Sequence, residues 1–466
     1  MAENFARLIE AAARRRPGAA AIVWEAGALT WEDLERRAGG LARALTARGV
    51  RAGDAIAVAI GNRWPLAVAL HAGLKLGVNV SPLNPLLTAE ERKRILTDLC
   101  PAETVEAVSA EAADWPSVPA PSAPAITLYT SGSTGEPKGA LLSHAALEAA
   151  NRSWAGPVMS LTPDDTVLAV LPLSHSFGLN GALLAPLLVG ARVALVEHFS
   201  PEAVLEAIAR HRVTVLPAVA TMFRRVLDSP ALAAADLSSL RLAVSGAAPC
   251  PWDLAQEFRQ RTGVRIVRGY GSTELFRPIS YQADDPHEWP DAVGRPVPGV
   301  EVCVVDEAGG SLPSGEAGEL WIRTPAAMDG YLNRPDETRA VLGADGWFRT
   351  GDLATLSADG LVRIVGRKKE LILRGGYSVV PAEVEATLAG HPAVAEAAVI
   401  GLPHAELGEE IAAFVLLRAG AHVAPEDLMG YCRERLAGFK CPRRVTLVDE
   451  LPRGATGKVL KSRLRG

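Results

Sequence analysis

The strongest constraint on fold is an alternation of buried-strand and amphipathic-helix patterns through the first half of the chain. Thr30 is placed to cap a helix running to Gly49, with Leu34, Leu41 and Leu45 on its inner face. Ala55–Ile60 reads as a short buried strand and Trp64–Leu76 as a second helix. Ser200-Pro201-Glu202 supplies a capping hydroxyl, a proline for the first turn and an acid near the positive end of the helix dipole. Val204, Leu205 and Ile208 give that helix an apolar face, and Val213–Leu216 follows as a strand. Alternating units of this kind argue for an α/β architecture with largely parallel, doubly wound sheets.

The pattern changes further along. Glu111–Pro124, with Pro116, Pro119, Pro121 and Pro124, reads as a connector into a strand over Ala125–Tyr129. From Val300 to Ile322, short strands alternate with turns such as Ala308-Gly309-Gly310, which predicts a β-rich, barrel-like subdomain. Beyond Gly366 the pattern becomes a small α+β tail. At 466 residues the chain exceeds one small domain. The expected division is 1–366 and 367–466.

Composition excludes several classes. Apolar residues make up 48% and charged residues 22%, with a net charge of -5, so neither nucleic acid nor an anionic membrane surface is implied as a partner. Cys100, Cys250, Cys303, Cys432 and Cys441 form no C-x-x-C pair and suit reduced thiols rather than a disulfide or zinc framework. Glu3, Arg7, Glu10 and Arg14 to Arg16 interrupt any signal-peptide core. The longest apolar stretch, Gly181–Ala191, contains Pro186 and is shorter than the roughly 20 residues a bilayer requires. A cytoplasmic location is expected. Arg greatly outnumbers Lys, which occurs only as Lys75, Lys93, Lys138, Lys368, Lys369, Lys440, Lys458 and Lys461. These mark either places where a compact ammonium matters or random survivors of the bias.

The strongest local signal is Tyr129-Thr130-Ser131-Gly132-Ser133-Thr134-Gly135-Glu136-Pro137-Lys138-Gly139. Its glycines let backbone N–H groups converge on an anion, its hydroxyls add donors, and Lys138 adds charge. These suit a polyphosphate, although the spacing G-x-x-x-x-G-K-[ST] is absent. Six further motifs follow in order. They are Leu171-Pro172-Leu173-Ser174-His175, Ser245-Gly246-Ala247-Ala248-Pro249, Gly269-Tyr270-Gly271-Ser272-Thr273-Glu274, Phe348-Arg349-Thr350-Gly351-Asp352, Gly366-Arg367-Lys368-Lys369-Glu370, and Pro452-Arg453-Gly454-Ala455-Thr456-Gly457-Lys458. With these in place, nearly the whole chain resembles the adenylate-forming superfamily of acyl-CoA synthetases, carrier-loading adenylation domains and luciferases.

The resemblance implies ATP, Mg²⁺ and coenzyme A, with a carboxylic acid as substrate. Thr130, Ser131, Gly132, Ser133, Thr134, Gly135 and Lys138 would hold phosphates. Gly246, Ala247, Ala248 and Pro249, with Gly269, Tyr270 and Gly271, would frame adenine, the tyrosine offering a stacking face. Thr273 would bond a phosphate, while Thr130 and Glu274 would face the metal, a hard cation that prefers oxygen. Asp352 would accept from the ribose hydroxyls and Arg367 would contact ribose or phosphate. Lys458 would offset the meeting of a carboxylate with the α-phosphate. The resemblance also makes the C-terminal domain mobile about a hinge at 367–370, with Lys369 as pivot and Gly375, Gly376 and Tyr377 beside the path of the thiol.

His175 is a packed core histidine by residue type alone; the resemblance places it between the acyl pocket and the thiol path, in catalytic reach. His175, Phe177, Ala218, Val219, Ala247 and Phe276 are the expected lining of that pocket, mostly small and apolar, which suits an aliphatic or aromatic acid. Arg277 is expected to point outward; turned inward it would favour a dicarboxylate such as malonate. The resemblance is closest to fatty-acyl, aryl and 4-coumarate-type CoA ligases, with a carrier-loading enzyme as the alternative, as monomer or homodimer. Two departures stand out. Cys100–Pro124 is shorter than in similar enzymes, and Ser272 replaces a larger residue.

Overall fold

Thr30 starts its helix through a reciprocal cap. Its hydroxyl accepts from the Asp33 N–H at 3.0 Å, and the Asp33 carboxylate accepts from the Thr30 N–H at 3.2 Å. The helix Trp31–Ala47 ends just before Arg48 and Gly49, the latter at φ 98°. Ser200 caps Pro201–His211 by accepting from the Ala203 N–H at 3.0 Å. The strand after it is Val215–Ala218, two residues later than the pattern suggests. Arg212 sits at φ 52° and the Val213 N–H bonds back to Ile208, so the helix end consumes the first residues of the apolar run. The predicted helix Trp64–Leu76 is present, and the strand predicted over Ala55–Ile60 spans Ala55–Val58.

The computed structural model describes residues 3–109, 111–119, 123–131, 137–286, 288–375, 377–453 and 459–464. The chain forms two compact units, Met1–Val302 with Ile322–Phe348, and Cys303–Trp321 with Arg349–Gly466. The architecture is α/β, as expected.

The first unit holds two large sheets. A seven-stranded sheet runs in the order Ile266–Val267, Leu242–Ser245, Val215–Ala218, Thr166–Ala169, Arg192–Leu195, Ala20–Trp24, Gly27–Thr30, parallel but for its last hairpin. A six-stranded sheet runs Gly330–Tyr331, Pro137–Leu142, Ile126–Ser131, Asn79–Pro82, Ala55–Val58, Glu103–Val105. It is parallel from Ile126–Ser131 onward and antiparallel before it. Helices bury Leu205, Ile208, Phe223, Val226 and Phe258 against the larger sheet. An antiparallel set, Gly269–Ser272, Phe276–Ser280 and Arg295–Pro296, completes this unit.

The proline-rich connector carries no regular element over 111–119 but is closely fitted. Ala113 N–H bonds to Arg36 O, and Val118 N–H to Lys75 O at 2.9 Å. A Cβ on Gly39 or Gly40 would overlap the carbonyl oxygens of Ala113 or Glu111, so these two helical glycines permit the close approach. Beneath lies a buried ionic cluster. Lys75, 3% exposed, reaches Glu10 at 2.5 Å and Glu35 at 2.8 Å, and His71 meets the other Glu35 oxygen at 2.5 Å.

The second unit has a four-stranded sheet ordered Glu301–Val305, Ala317–Arg323, Phe348–Leu356, Val362–Arg367. A further sheet is built on the antiparallel pair Val394–His404 and Gly408–Leu417, with Arg444–Val448 added in parallel. Helices Pro381–Ala389 and Pro425–Arg433 bury Val384, Leu388, Leu428 and Cys432 against it.

Candidate active site

Three of the sequence motifs, and the expected pocket residues Ala218 and Val219, leave the same edge of one sheet. Parallel strands Thr166–Ala169, Val215–Ala218, Leu242–Ser245 and Ile266–Val267 end, respectively, at Leu171–His175, at Ala218 and Val219, at Gly246–Pro249 and at Gly269–Gly271. Ala218 pairs directly with Ser245, which fixes the register of two of these turns. The carboxyl edge of an open parallel sheet is where such folds receive ligands. Ala247 is held at φ 64°, a strained conformation for a residue with a Cβ, at the point where the Ser245–Pro249 turn reverses.

Tyr270 is half-buried, and both of its glycine neighbours are required by the protein itself. A Cβ on Gly271 would overlap the Phe276 carbonyl oxygen, and one on Gly269 would meet the Arg277 guanidinium at 2.5 Å. Glu274 and Thr273 lie in the turn that follows, both half-buried.

Tyr331 ties this turn to the phosphate-type loop. Thr130 pairs with Lys138 across the hairpin Ile126–Ser131/Pro137–Leu142, Ser131 with Pro137 through the backbone, and Tyr331 with Ala140 on the far side. The Tyr331 hydroxyl donates to Glu274 Oε1 at 2.8 Å, while Lys138 Nζ lies 5.5 Å from the Tyr331 ring centroid and forms an ion pair with Glu337. Burial and the adjacent Glu274 charge raise the Tyr331 pKa, so the phenol stays a donor. The Lys138 bond holds the Glu337 carboxyl below the usual range. Neither Tyr331 nor Glu337 was anticipated; Gly330-Tyr331 resembles any strand end, and only its pairing gives it a role. Gly132, Ser133, Thr134 and Gly135 lie outside the described residues.

His175 has its pKa lowered by burial, and its Nδ1 accepts from the Phe177 N–H at 3.3 Å, which leaves the proton of the neutral ring on Nε2. Phe177 stacks on Trp154 at 5.4 Å and touches the Gly246 position. Phe276, at φ 56°, lies instead in a cleft with Ala149, Pro298 and Pro325. The outward Arg277 of the sequence reading is overturned. Arg277 is 6% exposed and turned inward, where Ser245 O, Val267 O and Ser280 Oγ accept its hydrogen bonds at 2.6, 3.2 and 2.8 Å. Its guanidinium lies 5.1 Å from the Trp154 ring centroid. Burial pulls its pKa down to about 9, which leaves it charged at neutral pH. An aromatic face and three strand-end acceptors outweigh the usual preference of arginine for water.

In the second unit, Asp352 and Arg367 face each other across paired strands, Arg367 Nε 3.0 Å from Asp352 Oδ1. Asp352 is 7% exposed and follows Gly351 at φ 68°, with its own N–H donated to Thr350 Oγ1. Lys368, Lys369 and Glu370 form one 3₁₀ turn with Lys369 exposed. Lys461 spans from it, pairing with Glu370 at 2.9 Å and Glu385 at 2.8 Å. Gly375 adopts φ 57° and donates to Leu407 O, and Tyr377 stacks on Phe439 at 4.5 Å. Gly376 and Lys458 lie outside the described residues. Among the described residues, no group of three or more His, Cys, Asp or Glu side chains is arranged to hold a metal, and no helix is long and apolar enough to cross a membrane.

Comparison with known proteins agrees with this geometry. The family pattern described as AMP-binding enzyme matches residues 9–105 and 99–332, and that described as AMP-binding enzyme C-terminal domain matches 383–458. Feruloyl-CoA synthase from an Amycolatopsis species is 37% identical over 97% of this chain and 96% of its own length. Sulfoacetate–CoA ligase from Cupriavidus necator is 34% identical over 94% and 92%. ATP-bound MatB from Rhodopseudomonas palustris superposes with a TM-score of 0.92 at 33% identity, covering 99% of this chain and 98% of that one. From its ordered motifs, its sheet-edge geometry and these matches along its length, the chain belongs to the AMP-binding enzyme family.

Proposed function

We propose that this protein is an ATP-dependent carboxylate–CoA ligase that works through an acyl-adenylate. The observation that carries this reading is the convergence of three motif turns and the Ala218–Val219 turn on one carboxyl sheet edge, beside the buried Phe177–Trp154 stack. In the first half-reaction, a carboxylate oxygen of the acid attacks the α-phosphorus of ATP and pyrophosphate leaves. In the second, the CoA thiolate attacks the acyl carbonyl carbon and AMP leaves. The acid has an apolar aliphatic or aromatic body that packs against Phe177, Ala218, Val219 and Ala247.

Thr130 to Gly135 and Lys138 hold the phosphates, Gly246 to Pro249 and Tyr270 the adenine, and Asp352 with Arg367 the ribose. Lys458 offsets the negative charge that builds at the α-phosphate. Glu274 suits Mg²⁺: a single carboxylate, with the Thr130 hydroxyl, is enough when substrate phosphates and water supply the other oxygens. Bound there, the ion would neutralise phosphate charge, and Tyr331 orients the carboxylate that faces it. The residues 367–466 move as a domain about 367–370, with Lys369 as pivot, and Gly375, Gly376 and Tyr377 border the thiol path in the second step. His175, neutral near pH 7, sits at the border between acyl group and thiol. The protein acts in the cytoplasm, where ATP and CoA are available.

Pyrophosphate exchange into ATP tests the reading. Exchange that requires a carboxylic acid and disappears in Lys458→Ala is expected, together with thioester formation on free CoA. Exchange without thioester formation would move the acceptor to a carrier-bound thiol; absence of exchange across a broad acid panel would overturn the reading.

A further inference from the structure

The chain segment that carries Lys458 leaves and rejoins the described structure at one place. Arg453 and Val459 pair as an antiparallel bridge, and the Leu460 N–H donates to Pro452 O at 2.7 Å, so whatever holds this pairing holds both ends of the segment. One side is held on the sheet. Arg453 forms an ion pair with Glu396 of the strand Val394–His404, and Val459 and Leu464 pack against Ala398, Ala412, Phe414 and Leu451. The other side is held by Lys461, in the single 3₁₀ turn Lys461–Arg463. Its Nζ lies 2.9 Å from Glu370 Oε2 and 2.8 Å from Glu385 Oε1. Burial by itself would lower the Lys461 pKa, but the two carboxylates outweigh it and raise it, so the ammonium stays charged through the neutral range.

The two acids come from different elements. Glu385 stands in the helix Pro381–Ala389 and also accepts from the Val399 N–H at 2.7 Å, which makes it part of the packed body of the C-terminal sheet. Glu370 stands in the turn Lys368–Glu370, next to the pivot Lys369. A compact ammonium can meet two carboxylates from two directions, whereas a guanidinium fork favours both oxygens of one, which suits a lysine here in a chain that otherwise favours Arg. All three side chains are only partly buried, and such pairs add little to global stability. Their effect is on orientation: they tie the base of the Lys458 segment to the residue beside the pivot. Turning a domain places a distant ammonium accurately only where the arm from the pivot is stiff, and a displacement of about 1 Å can cost roughly 100-fold in rate. Resting on the carboxylate-ligase reading, we propose that Lys461 is a positioning residue for Lys458: through Glu370 and Glu385 it fixes the base of the Lys458 segment relative to the hinge, so that the adenylate-forming step depends on it and the thioester-forming step does not.

The test separates the two half-reactions of the full chain. Pyrophosphate exchange is measured with the best acid of a panel of butyrate, octanoate, benzoate, cinnamate and malonate, and thioester formation with the chemically made adenylate of that acid and free CoA. In Lys461→Met, kcat for exchange is expected to fall by about 10- to 100-fold, with KM for ATP and for the acid little changed. The same variant converts the supplied adenylate to thioester at the wild-type rate. Lys461→Arg, which keeps the charge but pairs best with one acid, falls between. Adding Glu370→Gln to Lys461→Met lowers exchange little further, since both changes remove the same bond. Equal loss in the two half-reactions, no loss in either, or additive losses in the double variant overturns the proposal and leaves the ligase reading standing. If Lys461→Met does not fold, Glu370→Gln, which removes only the hinge-side partner, must show the same split between half-reactions. A wild type that exchanges with no acid of the panel overturns both.

Discussion

Replacing Glu35 with Gln should flatten the acid side of the stability curve. Glu35 lies in the helix capped by Thr30 and faces His71 at 2.5 Å and Lys75 at 2.8 Å. Burial by itself would raise its pKa, but the charges and hydrogen bonds of His71 and Lys75 outweigh it and bring the group from an ordinary 4.5 to about 2. Between those values the unfolded chain holds a proton that the folded chain does not, so stability rises with pH. The contribution is complete above about 4.5 and lost as pH falls toward 2. The difference amounts to a factor of roughly 300 in proton affinity, or about 3 kcal/mol. The assay is urea unfolding followed by tryptophan fluorescence at stepped pH, with Trp31, buried at the start of the same helix, among the reporters. Near pH 7 the Gln variant should be less stable by about 3 kcal/mol, and the gap should narrow steadily from pH 5 to pH 3. Parallel curves for wild type and variant across that range would refute the reasoning.

Three further outcomes are expected. Tyr331→Phe removes a hydrogen bond to the Glu274 carboxylate, worth about 1.5–3 kcal/mol, and should lower exchange by roughly 10- to 100-fold while the half-saturating Mg²⁺ concentration rises. Gly40→Ala, usually favourable in a helix by about 1 kcal/mol, should instead lower the melting temperature, because the new methyl group overlaps the Glu111 carbonyl; an unchanged or raised temperature would contradict the packing. Asp352→Asn should weaken ATP binding in equilibrium titration and change the melting temperature little, since the ion-pair partner it loses, Arg367, is half-exposed at its strand end.

Much of this was legible in the residues because the signals were local. The capping pairs at Thr30 and Ser200 set their helices, and alternation set the parallel sheets. The motif strings named their turns, but nothing in them said that three would share one sheet edge with Ala218 and Val219; that depends on strand order. Arg277 was misread because its partners, Ser245 and Val267, are 32 and 10 residues away and are carbonyls, which leave no mark in a sequence. Lysine scarcity was a useful clue that could not sort its own cases. Lys75 proved to be the centre of a buried cluster, whereas Lys138 belongs to the hairpin of the phosphate-type loop.

The two units are interleaved along the chain. Residues 303–321 belong to the second unit, 322–348 return to the first, and 349 onward to the second again. A ribosome therefore releases part of the second unit before the last strand of the first, Gly330–Tyr331, has been made. Until that strand arrives, the edge at Pro137–Leu142 has no neighbour on that side, and Glu274 has no phenol to hold it. The nascent chain thus has to keep an open sheet edge out of trouble for some 190 residues of synthesis, and no single cut in a gene would yield either unit whole.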